Sequence, residues 1–159
     1  MIRPGTLADL DELHLLARQV VNNLRANGID QWSNNYPLRE HFAPDVAAGA
    51  LFVYCIADQL VGSITVMPEN EMFYHEVKWD TASAYVVHRL MVHPEHLRQG
   101  IGTSLFEHAI GFARTCGASG VKVDTHPDNH RMQALIKSLG FTEKGYIRSI
   151  NRIGYEIVF

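Results

Sequence analysis

Apolar positions recur along the chain with two periods, and their succession lays out a mixed α/β arrangement. Leu10, Leu13, Ala17, Val20 and Leu24 fall on one stripe of a predicted helix. Thr6 and Asp9 precede it as a capping pair, and Gly28 offers the stop. The stretch from Gly28 to Pro37 is dense in turn formers and reads as a loop that carries Trp32 and Tyr36. A short helix is expected around Pro44 to Ala50, with the proline near its start. Leu51 to Ala57 and Leu60 to Met67 read as the arms of a hairpin around Asp58-Gln59. Pro68 to Asp80 breaks the pattern. Ala84 to His93 is apolar on both alternating faces, as a strand covered on both sides must be.

Beyond Pro94, Leu105, Ala109, Phe112, Ala113 and Cys116 form the stripe of a second long helix. Val121 to Thr125 is a strand. Asn129 to Leu139 is a helix with Met132, Leu135, Ile136 and Leu139 facing inward and Gly140 as its stop. Phe141 to Ile150 and Ile153 to Phe159 close the chain as strands. The order β-α-α-β-β-β-α-β-α-β-β is that of one α/β domain over residues 1–159, without repeats or linkers.

Composition narrows the class. A chain of 159 residues has the size of one domain, and 47% apolar with 19% charged residues is a globular mixture. No apolar run approaches the ~20 residues that a bilayer crossing needs, so no membrane partner is expected. The start lacks the layout of a secretory signal, and Cys55 and Cys116 sit in apolar patterning as expected reduced core residues; together these predict a cytoplasmic protein. A net charge of −3 without a basic stripe argues against a nucleic-acid partner.

The candidate chemistry concentrates between Leu90 and Leu105. A buried strand ends there, a polar turn follows, and Gly100 and Gly102 open an amphipathic helix. Glycine admits a ligand close to the backbone, and the free N–H groups of a helix start together with Arg98 favour an anion, so the segment reads as a diphosphate cradle. Thr103-Ser104 follow Gly102 with no lysine, which excludes a P-loop; Leu105 stands where a dinucleotide fingerprint needs a third glycine. A tight strand-to-helix turn without a ligand stays open on spacing alone.

His88 lies on the strand that leads to Val92, on the same alternating face, and an imidazole titrates near neutrality, so it is a candidate general base; a hydrogen-bonded core histidine is the alternative. Glu76 and His75 in the acidic 68–80 loop are rivals, and Arg89 is expected to pair with a carboxylate. Trp32, Tyr36 and Trp79 beside acidic residues suit a small cationic amine. The pairs His93 with His96 and His126 with His130 fall within segments already explained, and no metal is expected.

The run Leu97-Arg98-Gln99-Gly100-Ile101-Gly102 behind Val92-His93-Pro94-Glu95 resembles the acyl-CoA motif of the GNAT superfamily of N-acetyltransferases. The resemblance covers nearly the whole chain. It takes in Ile2-Arg3-Pro4, the hairpin through Val61-Gly62 and the late Asn129…Leu139-Gly140-Phe141. Gln31-Trp32…Tyr36-Pro37 and His88-Arg89-Leu90 resemble a bacterial subgroup of that superfamily. It implies a mixed sheet flanked by helices, with parallel fourth and fifth strands splayed around coenzyme A. It further implies acetyl-CoA as co-substrate, direct attack by a primary amine of a small molecule or of an amino-acid or peptide acceptor, and a homodimer.

Residue by residue, the resemblance assigns the backbone of Leu90, Met91 and Val92 to the pantetheine arm and the acetyl carbonyl. Arg98, Gln99, Gly100, Ile101, Gly102 and Thr103 are assigned to the pyrophosphate, and Asn129 to the pantetheine or acceptor side. Two positions depart from the pattern. Leu97 replaces the usual Gln or Arg, with Arg98 beside it to supply the charge. Ile136 replaces the Tyr that often protonates the departing thiolate, leaving Tyr146, Tyr155 or a water for that part. A non-catalytic acyl-CoA-binding or sensing module, or another enzyme of nucleotide diphosphates, are the other functions this segment allows.

Overall fold

Thr6 and Asp9 open the first helix as their spacing predicts. The Asp9 carboxylate accepts the Thr6 N–H at 2.7 Å and forks with the Arg3 guanidinium at 2.8 Å on each arm. Helix α1 (Leu10–Ala26) follows and is closed by Gly28 at φ +74°. The computed structural model describes residues 1–159 throughout. Its other elements are β1 (Ile2–Pro4), α2 (Arg39–Ala47), β2 (Leu51–Ile56), β3 (Gln59–Pro68), β4 (Ala84–Val92), α3 (Ile101–Thr115), β5 (Gly120–Thr125), α4 (His130–Ser138), β6 (Thr142–Ile147) and β7 (Arg152–Val158). The strands form one mixed sheet in the order β1-β2-β3-β4-β5-β7-β6. β4 and β5 are parallel, while β1–β2, β2–β3, β5–β7 and β6–β7 are antiparallel. Helices flank this sheet as expected.

The chain divides into two compact units. The first holds Met1–Thr65 and His88–Ala109, the second Val66–Val87 and Ile110–Phe159. In the first, Leu10, Leu13, Leu16 and Ala17 of α1 and Phe42 of α2 pack on Leu51, Val53, Leu60 and Met91. In the second, Tyr74, Val77, Val86 and Ile147 form a core cluster. The parallel register of β4 with β5 spans Ala84–Val86 against Gly120–Lys122, while β4 itself runs on to Val92.

Several local expectations are corrected. Helix α2 begins at Arg39 and carries Pro44 in its interior, because the Leu38 N–H donates to His41 Nδ1 at 2.8 Å and sets the start earlier. The proline there has no N–H to donate to the Glu40 carbonyl one turn back. The hairpin turns at Ala57-Asp58, whose φ values of +48° and +65° supply the left-handed pair that a two-residue loop requires. In α4 only Ile136 is fully buried, with Met132, Leu135 and Leu139 half-buried. Cys55 is half-buried and packs against the first core cluster, whereas Cys116 is exposed and is not the core residue predicted. α3 ends at Thr115, and a turn through Gly117 at φ +83° carries Cys116 off the apolar stripe.

Candidate active site

The end of β4 and the start of α3 lie in the first unit. The His93 N–H donates to the Val61 carbonyl at 2.7 Å, tying the turn to β3, and His93 Nδ1 accepts the Glu95 N–H at 3.1 Å. Arg98 and Gly100 then take left-handed φ values of +63° and +79°. The first bond of the helix runs from the Ser104 N–H to the Gly100 carbonyl at 3.0 Å. The N–H groups of Ile101, Gly102 and Thr103 therefore precede any carbonyl the helix could offer them. A Cβ placed on Gly100 would meet nothing within 4 Å, and Arg98, Gln99 and Gly100 are all exposed. The positive end of a 15-residue helix, an exposed guanidinium and unfilled space thus coincide. Behind them, a Cβ on Gly62 would come within 3.1 Å of Ile101 Cγ2, Leu105 Cδ1 and the Met91 carbonyl, so glycine lets α3 lie close on the strands.

Arg89 sits in β4 with φ +48°, a left-handed step in mid-strand. This step falls between His88 and Val92, which were expected to share one face of a regularly alternating strand. The Arg89 guanidinium finds the carboxylate predicted for it. Nε donates to Asp45 Oδ2 at 2.9 Å, Nη2 donates to the same oxygen, and Nη1 donates to the Tyr36 hydroxyl at 2.8 Å. The Thr65 hydroxyl also donates to Asp45 Oδ2, at 2.9 Å. His88, next in the strand, is half-buried; burial first, and the Arg89 charge second, push its imidazole down to about 4. Its titration therefore leaves the neutral range expected of it.

The predicted acceptor-side residues have different fates. Trp32 packs against the first core cluster, 6.4 Å from the Tyr36 ring. Trp79 belongs to the second unit and is engaged there: its Nε1 donates to the Tyr74 carbonyl at 2.7 Å, and the Lys122 ammonium lies 4.7 Å from its ring centre. A Cβ on Gly154 would strike the Trp79 ring at 2.7 Å, so the indole is a packing element.

Glu76 is exposed, with its two oxygens taking the Ser149 N–H at 3.1 Å and the Ser149 hydroxyl. These bonds hold its carboxyl below the ordinary range. The Tyr146 hydroxyl donates to Asn151 Oδ1 at 2.6 Å, and the Asn151 amide nitrogen lies 3.4 Å from Nε2 of the buried His126. Tyr155 is fully buried, whereas Tyr146 is 51% exposed. Asn129 caps α4 by accepting the Met132 N–H at 3.2 Å.

Asp45, Asn151 and Asp124 were not singled out from sequence, and His126 was weighed only as half of a metal pair. Asp124 accepts the Tyr74 hydroxyl at 2.6 Å, and burial raises its carboxyl against the opposing pull of Tyr74 and Arg152. Only Asn151 carried a local signal, a turn former between two strands, and it takes φ +52°.

Residues 18–141 match the model of the acetyltransferase (GNAT) family. In fold the chain is similar to a GNAT-family acetyltransferase from Streptococcus agalactiae 2603, with a TM-score of 0.88 at 22% identity over 100% of this chain and 95% of that one. It is also similar to the PaiA N-acetyltransferase of Thermoplasma acidophilum, solved in complex with coenzyme A, with a TM-score of 0.80 at 17% identity over 100% and 98% of the two chains. A ribosomal-protein-alanine N-acetyltransferase from Brucella melitensis gives 0.76 at 20% identity over 100% and 99%. No curated protein matches the chain in sequence.

Proposed function

The chain belongs to the GNAT acetyltransferase family, and from that premise we propose that it transfers the acetyl group of acetyl-CoA to a primary amine of a small molecule or of an amino-acid or peptide acceptor. The observation that supports this most is the left-handed, unobstructed Gly100 beside Arg98 at the open end of α3. Space and positive potential fit a pyrophosphate, so Arg98, Gln99, Gly100, Ile101, Gly102 and Thr103 would hold it. The backbone of Leu90, Met91 and Val92 would take the pantetheine arm and the acetyl carbonyl, and Asn129 the pantetheine or acceptor side. When bound, acetyl-CoA supplies an activated carbonyl and a thiol leaving group.

The residues then have separable tasks. An alkyl ammonium of pKa ~10.4 is only about 0.04% free base at pH 7, so the acceptor must shed a proton. We assign its first recipient to His88, which is neutral across the physiological range and so open to a proton; burial makes it a weak base, so the proton must leave it for water. A backbone N–H of the Leu90–Val92 segment facing the carbonyl oxygen would be worth ~3–4 kcal/mol as charge builds there.

In the second unit, Tyr146 is assigned the proton for the thiolate. That demand is mild, since a thiol pKa of ~8.5 makes the thiolate a tolerable leaving group. Ile136, fully buried, has no proton to give. Trp32, Tyr36 and Trp79 are assigned to a cationic acceptor and Glu76 to the part of rival base, with Trp79 anchored on the Tyr74 carbonyl and Glu76 on Ser149.

The test measures CoA release against a panel of polyamines, amino acids and short peptides, alongside calorimetric titration with CoA. Turnover on one amine, lowered in Tyr146→Phe, is the expected result. Tight CoA binding with no turnover on any acceptor would make the chain a binding module instead.

A further inference from the structure

The His88-Arg89-Leu90 and Gln31-Trp32…Tyr36-Pro37 segments have so far received only partial roles, yet one side chain joins them. Arg89 is a non-glycine residue held at φ +48° in the middle of a strand, a conformation that disfavours any residue with a Cβ by a factor of about ten. Such outliers persist where surroundings over-determine them, and they cluster at sites where geometry matters. The surroundings are explicit. The guanidinium, 14% exposed, makes three charge-assisted bonds, two to Asp45 of α2 and one to Tyr36. Asp45 is itself anchored to β3 through Thr65.

The loop that carries Tyr36 is fixed independently. Arg18 of α1 donates to the Ser33 carbonyl at 3.1 Å and to the Pro37 carbonyl at 2.5 Å, and Ser33 pairs with Tyr36 through both backbone bonds. The Arg89 step immediately precedes Leu90–Val92.

We propose that Arg89 is a positioning residue for acetyl transfer: pinned by Asp45 and Tyr36, it holds the left-handed step that sets the direction of the Leu90–Val92 peptide groups. It rests on the reading of those residues as the seat of the acetyl carbonyl. It also gives the Tyr36 loop a task beyond lining an acceptor site, since the phenol is one of the three anchors.

Glycine enters the left-handed region without penalty, and this separates positioning from mere ion pairing. Arg89→Ala and Arg89→Gly both delete the guanidinium, but only the alanine variant must fight the required φ. The experiment uses the full chain with acetyl-CoA labelled at the carbonyl carbon, follows the thioester carbonyl band by infrared difference spectroscopy, and measures affinity by calorimetry.

Arg89→Ala is expected to bind the coenzyme with near-wild-type affinity while its carbonyl band returns toward that of the free thioester. Its kcat should fall on the order of a hundredfold, the cost of a misplaced reacting group. Arg89→Gly should keep a band near that of wild type and a kcat about tenfold above the alanine variant. Tyr36→Phe, which spares the charge pair, should move the band partway.

Identical bands in the glycine and alanine variants would overturn the inference, as would an alanine variant with the wild-type band. Should Arg89→Ala not fold, an unmoved band in Tyr36→Phe would overturn it equally. Failure of the wild-type chain to bind acetyl-CoA would overturn the coenzyme reading and this inference with it, whereas intact binding with unmoved bands overturns this inference alone.

Discussion

Replacing Gly100 by alanine separates a backbone role from a ligand role, because three other glycines provide matched controls. Gly28, Gly49, Gly100 and Gly117 have φ values of +74°, +67°, +79° and +83°, and a Cβ on any of them would meet nothing within 4 Å. Alanine at each therefore incurs the same left-handed penalty, ~1–2 kcal/mol, with no steric clash added. For a chain of this size that lowers Tm by roughly 2–8 °C. The four variants should be indistinguishable by thermal unfolding followed by circular dichroism.

Coenzyme binding should divide them. Only Gly100 stands at the open end of α3, where a methyl group would take the space proposed for a phosphate and deny it at least one charge-assisted bond. A bond of that kind is worth ~1.5–3 kcal/mol, so CoA affinity should fall by roughly 10- to 150-fold. Calorimetric titration of all four variants with CoA reads this directly. If Gly100→Ala bound CoA as tightly as Gly49→Ala while losing the same stability, the start of α3 would not be the cradle.

Gly102→Glu, which sets a carboxylate among the same amides, should abolish CoA binding while urea unfolding stays cooperative; measurable affinity would contradict the placement. His88 predicts a slope in stability. Its imidazole lies at about 4 when folded against an ordinary 6.5 when unfolded, so between those values the unfolded chain takes up a proton that the folded chain refuses. Stability should be level above pH 6.5 and fall by up to ~3 kcal/mol as pH drops to 4, and His88→Gln should lose that slope in urea midpoints measured at pH 7, 5.5 and 4. Asp9 acts lower. The hydrogen bond from Arg3, outweighing burial, holds its carboxyl at about 2 against 3.8 unfolded. Its contribution of ~2 kcal/mol is thus present above pH 3.8 and lost as pH falls through 2, and Asp9→Asn should forfeit it at neutral pH.

The backbone frame of the candidate site was legible because its features are local. A strand apolar on two faces, a polar turn and a glycine at a helix start are neighbours in sequence, and helix geometry alone dictates where the unbonded amides fall. The anchors of Arg89 were not legible as a set. Its partners Asp45 and Tyr36 stand 44 and 53 residues away, and nothing near either marks the pairing. The left-handed step was hidden for a related reason: glycine normally advertises such a φ, and here an arginine takes it under tertiary restraint.

The sequence by itself determined the order of helices and strands, the central placing of Ala84–Val92 and the glycine-bearing opening of α3, since periodicity and turn chemistry act over a few residues. Tertiary structure decided the insertion of β7 between β5 and β6, the commitment of Trp79 to packing, the exposure of Cys116 and the depressed pKa of His88. Each of these depends on which distant groups come together and how much water they exclude. Desolvation and long-range pairing are properties of the folded chain and leave no period in its sequence.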